Sequence, residues 1–221
     1  MKVGVLFSGG KDSSLALYRF VKEGGKADVL LSMIPETKDS FMFHKPDLGL
    51  LKKQAEMLGK KLILEKTKGK KDKELKDLKK LIKKSKIKKL VIGGIKSSYQ
   101  GNRIKKICSD LGVNVVAPLW NYNVEKLWKE LLKNNFKVII TKIACEGIPR
   151  EFIGKIINKN KFEELKKLSE KYKFRLDFEG GEAESAVLYM PEFKKEIRIE
   201  YAIESEGSYR HFIKIKKLMA K

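Results

Sequence analysis

Val3-Gly4-Val5-Leu6-Phe7-Ser8-Gly9-Gly10-Lys11-Asp12-Ser13 joins an apolar run to a glycine pair, a lysine, an acid and a hydroxyl. Beyond it, Leu15, Ala16, Tyr18, Phe20 and Val21 recur at spacings that cover a broad helical face. The stretch reads as a buried strand over residues 3–7, a tight turn, and a helix beginning after Asp12. Such a turn is suited to phosphate. Its backbone N–H groups and the helix N-terminus face the anion, the helix dipole favours negative charge, and a lysine adds a full positive charge. Glycines at 9 and 10 permit close backbone approach and dihedrals closed to other residues. Each helix-end contact contributes roughly 0.3–2 kcal/mol, so useful affinity requires several together. The plain alternative is a Gly-rich connection between a strand and a helix.

The first half of the chain repeats the pattern. Candidate strands at Val29 to Ile34, Leu62 to Glu65, Leu90 to Ile92 and Val113 to Val116 alternate with helical periods, the signature of a parallel sheet covered on both faces. Helices are expected from Pro46, a good first-turn residue, to a cap at Gly59, then after Lys71, and from Asn102 to Leu111, ending at Gly112. One more helix–strand pair follows, Val124 to Leu132 with Trp128 inward and Val138 to Ile143. A helix at Lys161 to Tyr172 then leads through an acidic Gly turn into a small meander at Val187 to Tyr189, Ile197 to Ala202 and Phe212 to Ile215. The expected fold is α/β: a doubly wound parallel sheet over residues 1–120, with a smaller α+β domain over 121–221. In such sheets ligands lie beyond the carboxyl ends of the strands where the winding reverses. If strands one and four flank that point, the loop at residues 8–13 meets Gly93-Gly94-Ile95-Lys96-Ser97-Ser98-Tyr99-Gln100.

The P-loop of kinases and GTPases needs a different glycine spacing, with lysine and a hydroxyl residue directly after the second glycine. Ser8-Gly9-Gly10-Lys11-Asp12-Ser13 instead resembles the SGGxDS loop of the ATP pyrophosphatase (PP-loop) superfamily, whose fold is of the adenine nucleotide alpha hydrolase type. That resemblance implies a grip on the β,γ-pyrophosphate of ATP, cleavage of the α–β bond, and activation of a substrate as an adenylate.

A narrower resemblance rests on Gly93 through Gln100-Gly101-Asn102-Arg103, with Ile104, Cys108, Leu111-Gly112 and Ala117-Pro118-Leu119-Trp120. Met42-Phe43-His44-Lys45-Pro46, Gln54-Ala55, Glu146-Gly147-Ile148 and Glu179-Gly180-Gly181-Glu182-Ala183-Glu184 extend it along nearly the whole chain. Together they resemble the diphthine–ammonia ligase family. The family's acidic turn commonly reads Gly-Glu-Gly-Gly-Glu-Tyr-Glu-Thr. Here Phe178 stands for the first glycine, Ala183 for the tyrosine and Ser185 for the threonine, so the acids are kept and the fit around Ala183 differs.

The resemblance implies ATP-dependent amidation of the carboxylate of diphthine, a modified histidine on translation elongation factor 2, by ammonia, with release of AMP and pyrophosphate. Ser8, Gly9, Gly10, Asp12 and Ser13 would hold the pyrophosphate, and Lys11 would offset its growing charge. Asp12 is also the candidate Mg²⁺ ligand. Gly93, Gly94, Ser97, Tyr99 and Gln100 would line the nucleotide or acceptor pocket. Arg103 would pair with a phosphate or the acceptor carboxylate, or is a surface arginine at a helix start; His44 would approach the crevice, or is a capping or packing histidine. Glu179, Glu182 and Glu184 would bind the trimethylammonium of diphthine, receive the ammonium proton or help position magnesium, or they are a solvated acidic turn.

Lysine and arginine total 50 against 28 acids, a net charge of +22. The lysines interleave with leucines, as around Leu75, Leu78, Leu81 and Ile82, which describes the wet face of an amphipathic helix. Aromatic residues are not clustered among them, which weakens a single-strand nucleic-acid surface. No apolar stretch reaches the ~18 residues that span a bilayer, and Met1-Lys2 runs straight into the first strand with no leader pattern. Cys108 and Cys145 form no CxxC pair, so neither a zinc site nor a disulfide framework is expected, and a reducing cytoplasm is. Two other classes stay open: a tRNA-modifying ATP pyrophosphatase such as a thiolase or lysidine synthetase, and a nonenzymatic ATP sensor.

Overall fold

Aliphatic and β-branched runs bounded by glycine, proline and lysine build the strands, and helices of lysine and leucine cover them. A computed structural model describes residues 1–36, 46–68, 71–94 and 98–221, with backbone alone for 71–72 and 98–100. Two compact units result, Met1–Asn121 and Tyr122–Lys221.

The first unit alternates β1 (Val3–Leu6), α1 (Lys11–Lys22), β2 (Val29–Pro35), α2 (Leu48–Met57), β3 (Lys61–Thr67), α3 (Lys71–Ser85), β4 (Lys89–Val91), α4 (Ser98–Asp110) and β5 (Asn114–Val116). Among the described residues these strands form a five-stranded sheet of order β3-β2-β1-β4-β5, parallel throughout. Every residue of β2 is buried, as a strand covered on both faces requires. One face carries α3 and α4: Leu78, Leu81, Ile82, Ile104, Ile107 and Cys108 pack on Val29, Leu31, Met33, Leu90 and Ile92. Right-handed crossovers then put α1 and α2 on the other face, because the chain moves outward in opposite directions from β1 and from β4. The winding therefore reverses between β1 and β4.

Local chemistry sets the helix ends. The turn at Gly59 has φ +61, and the N–H of Lys60 bonds the Ala55 carbonyl at 3.0 Å, so glycine closes the helix as expected. The start differs from expectation. Asp47 is the N-cap and accepts from the Leu50 N–H at 2.8 Å, leaving Pro46 outside the helix rather than in its first turn. A carboxylate cap satisfies an otherwise orphaned donor, which proline cannot. Likewise α4 begins at Ser98, not Asn102, so Tyr99 and Gln100 belong to a helix rather than a loop. On α3, Lys73, Lys76, Lys79, Lys80, Lys83 and Lys84 are exposed while Leu78, Leu81 and Ile82 are buried.

The second unit holds α5 (Val124–Lys133), β6 (Lys137–Ala144), a short 3-10 turn at Arg150–Phe152, α6 (Lys159–Tyr172), β7 (Ala183–Tyr189), β8 (Ile197–Glu206) and β9 (Arg210–Ala220). Its sheet, of order β7-β6-β9-β8, is antiparallel. This corrects one expectation: the last three strands are not a meander, because β6 lies between β7 and β9. Val138, Ile139, Ile140 and Ile143 are at most 1% exposed, and a strand so apolar gains most from a central place. Trp128, fully buried, stacks on Phe162 with ring centres 5.5 Å apart and meets Phe178 edge-on at 6.2 Å.

Burial pushes the Cys108 thiol up to about 11. Only the thiolate is nucleophilic, so native protein at pH 8 should leave Cys108 unmodified by iodoacetamide. Peptide mass mapping should find it alkylated only after unfolding.

Candidate functional site

The sequence from Ser8 to Ser13 closes on itself. The Ser8 N–H donates to Ser13 Oγ at 3.2 Å, the two hydroxyl oxygens lie 3.1 Å apart, and Ser13 Oγ donates to the Gly10 carbonyl at 3.2 Å. Ser13 is therefore buried and serves the loop's shape. Gly9 has φ +77 and Gly10 is the N-cap of α1, with no side-chain cap bond. Most helix starts are capped by a serine, threonine or acid; this one has no side-chain cap, and a helix N-terminus of that kind suits an anion. Lys11 is 1% exposed, and its Nζ pairs with Asp12 Oδ2 at 2.9 Å. The lysine charge thus sits at the loop in partnership with an acid.

Gly93 follows β4 and lies against this loop. A Cβ at Gly93 would stand 2.7 Å from the Ser13 nitrogen and 2.9 Å from the Asp12 carbonyl carbon. The contact is backbone on backbone, so the two loops expected to meet at the winding reversal do meet. Gly94 is different: a Cβ there would find no atom of the described residues within 4 Å. Gly93 serves the packing of α1; Gly94 meets no such contact among the described residues.

On α4, Arg103 is half-buried. Two residues earlier, Gly101 leaves room for the Trp120 indole, whose Cζ3 would be 2.9 Å from an added Cβ. Lys105 places its Nζ 4.8 Å from the centre of the half-buried Trp120 ring. Tyr99 and Gln100 are placed by backbone in the first turn of α4. His44 and Ser97 lie outside the described residues.

The acidic turn belongs to the second unit. Arg175 grips Asp177 with two bonds, Nε to Oδ1 at 2.9 Å and Nη2 to Oδ2 at 2.7 Å. Asp177 Oδ1 in turn accepts from the Glu179 N–H at 3.0 Å. Phe178 has φ +62, the left-handed region where the family's pattern has glycine. That conformation costs a non-glycine residue about 1–2 kcal/mol. Burial of the Phe178 ring against Trp128 offsets it, since a buried Phe contributes about 1.5–3 kcal/mol.

The three glutamates are not equivalent. Glu184 pairs with Lys142 at 2.9 Å, and Glu179 lies 3.5 Å from Arg175. Glu182 Oε1 accepts from the Arg175 N–H at 3.3 Å, whereas its Oε2 is buried with no hydrogen-bond partner among the described residues. Burial raises the Cys145 thiol pKa, and the nearby Glu182 charge raises it further. Sequence reasoning assigned no role to Arg175, Asp177, Lys142 or Cys145. Arg175 and Asp177 stand just before the turn and were the readable signal; Lys142 reaches Glu184 only through the pairing of β6 with β7.

The geometry around the two glycines gives a paired prediction. Gly93→Ala meets backbone that no side-chain rotation can clear, and should destabilise by about 1–3 kcal/mol. Gly94→Ala should leave the melting temperature unchanged. Thermal unfolding of both variants checks this, and equal behaviour would remove Gly93 from its packing role.

Residues 1–115 match the diphthamide synthase N-terminal domain and residues 123–220 the diphthamide synthase C-terminal domain. A diphthine–ammonia ligase of Rattus norvegicus is 31% identical over 90% of this chain and 83% of its own length. The diphthine–ammonia ligase of Schizosaccharomyces pombe is 30% identical over 98% of this chain and 39% of its own length. A solved structure described as a predicted subunit of tRNA methyltransferase from Methanocaldococcus jannaschii has a TM-score of 0.44 and 18% identity, over 86% of this chain and 98% of that one. A likeness that distant is no ground for sharing an activity. Matched in both halves, and at 31% identity over most of a relative's length, the chain belongs to the diphthamide synthase family.

Proposed function

We propose that this chain is an ATP-dependent ligase that amidates the diphthine carboxylate of translation elongation factor 2 with ammonia. One observation carries the reading: an uncapped, Gly-built helix N-terminus stands at the winding reversal of a chain whose two halves both match diphthamide synthase. The chemistry explains the ATP. A carboxylate repels nucleophiles and has no good leaving group. Its oxygen attacks the α-phosphorus, the bond from that phosphorus to the bridging oxygen breaks, and pyrophosphate departs with the electron pair. Ammonia then attacks the acyl carbon, AMP leaves, and the nitrogen loses a proton.

In this reading Ser8, Gly9, Gly10 and the first N–H groups of α1 bind the β,γ-pyrophosphate, with Ser13 fixing the loop. Lys11 offsets the charge that builds as pyrophosphate separates. Among the described residues no three acids, histidines or cysteines cluster to hold a metal. Mg²⁺ is usually bound by one or two carboxylates plus substrate phosphates, and Asp12, 30% exposed at its side chain, fits that donor set. When bound with ATP, the ion would offset phosphate charge. Gly94, Tyr99, Gln100 and Arg103 border the nucleotide or acceptor, as would His44 and Ser97. Glu179 and Glu184 are already paired with Arg175 and Lys142. Glu182, whose Oε2 has no such bond among the described residues, is assigned to the cationic partner, either ammonium or the trimethylammonium of the acceptor. The reading also places the chain in the cytoplasm, beside the elongation factor. Among the described residues no helix is long and apolar enough to cross a membrane.

The test is AMP release from ATP and ammonium with and without diphthine-bearing elongation factor 2, following the factor's mass. Acceptor-dependent AMP and the small mass decrease of acid to amide are expected. Release stimulated by tRNA would instead indicate a tRNA-modifying enzyme, and unstimulated protein a nucleotide sensor. Asp12→Ala should abolish turnover without unfolding the chain. Glu182→Gln should keep ATP affinity and lower amide formation on the order of 10²-fold, the scale of a lost acid–base group. Loss of ATP affinity alone would make Glu182 a nucleotide or metal ligand.

A further inference from the structure

We infer that Gln54 is the positioning residue that holds the anion-binding loop in its receptive form; the inference rests on the reading that this loop takes the phosphates of ATP. Gln54 is 1% exposed, on a face of α2 that otherwise buries Leu50, Leu51, Ala55 and Met57. A primary amide at such a position is costly unless it is hydrogen-bonded. Its Nε2 donates to the Gly9 carbonyl at 2.8 Å, across 45 positions of sequence. The contact is close on both sides, since a Cβ at Gly9 would overlap Gln54 Oε1.

The consequence lies in the next peptide unit. The chain has no cis peptide bond among its described residues, and in a trans peptide the carbonyl and the following N–H point in opposite directions. Holding the Gly9 carbonyl toward α2 therefore turns the Gly10 N–H the other way, to the exposed side of the loop, where Ser8 Oγ accepts from it at a long 3.4 Å. Glycine stands on both sides of this peptide, so neither residue's own side chain resists a flip, and the long Ser8 contact resists it weakly. A flipped peptide would present a carbonyl oxygen where phosphate oxygens bind. Gln54 supplies the restraint that the two glycines lack. Its amide can donate to a carbonyl; a carboxylate of the same shape can only accept.

The experiment compares wild type, Gln54→Leu and Gln54→Glu in the full chain, titrated with ATP, inorganic pyrophosphate and adenosine, with thermal melts run alongside. Gln54→Leu should bind ATP and pyrophosphate about tenfold more weakly, the scale of one lost restraint on a charged hydrogen bond, and adenosine unchanged. Gln54→Glu should show the same loss at neutral pH. It should regain affinity relative to wild type as the pH falls through the glutamate's pKa, because the protonated carboxyl again donates to Gly9. Wild-type ATP affinity in Gln54→Leu, or equal weakening toward adenosine, would overturn the inference, as would a Gln54→Glu profile parallel to wild type. If wild type itself binds no ATP, the functional reading falls and the inference with it. If wild type binds and Gln54→Leu binds equally, only the inference falls.

Discussion

The backbone of Gly93 rests against the backbone of Asp12 and Ser13, close enough that a single methyl group would not fit. This contact exists because β1 and β4 are parallel neighbours whose following loops leave the same edge of the sheet. The chain winds outward from β1 through β2 to β3, then returns to β4 and winds the other way. No connecting helix fills the gap between those two loops. An anion site there needs an open helix end, and α1 offers one because its N-cap is a glycine with no capping side chain. The position of α1 against the end of β4 depends on the absence of a side chain at residue 93.

Electrostatics in both units follow one pattern: charges at the candidate positions are mostly held by internal partners. Lys11 is met by Asp12, Glu184 by Lys142, and Asp177 by a two-pronged Arg175. Buried charges persist only when paired or hydrogen-bonded, so these pairs allow ionised groups to stand beside apolar residues. They also fix geometry, since an arginine fork holds a carboxylate in one orientation. The exposed lysines of α3 are a different population, solvated on the outer face of an amphipathic helix. The net charge of +22 therefore says less about the site than the few buried charges do.

The acidic turn illustrates a local rule broken and then offset. Phe178 occupies a left-handed conformation that glycine adopts without cost. The ring packs edge-on against Trp128, whose Nε1 donates to the Leu176 carbonyl at 3.0 Å. Burial of one aromatic side chain thus fixes the backbone from which Glu179 and Glu182 project. The packed ring anchors the turn as conformational freedom at a glycine could not.

Sequence by itself determined whatever depends on residues close along the chain. The strand–turn–helix at Val3 to Lys22, the closing glycines at 59 and 112, and the alternation that makes the first sheet parallel were all legible there, because each arises from hydrogen bonds and sterics spanning a few residues. The start of α2 was misread by two positions because Asp47, not Pro46, supplies the cap. The place of β6 was hidden because an apolar run of that length suits a parallel or an antiparallel centre equally. Only the tertiary structure decided the pairs that set the candidate site. Gly93 on Ser13, Gln54 on Gly9 and Lys142 on Glu184 join residues tens of positions apart. No local propensity encodes such pairs; they exist because packing of the sheets and helices brings those backbones to one place.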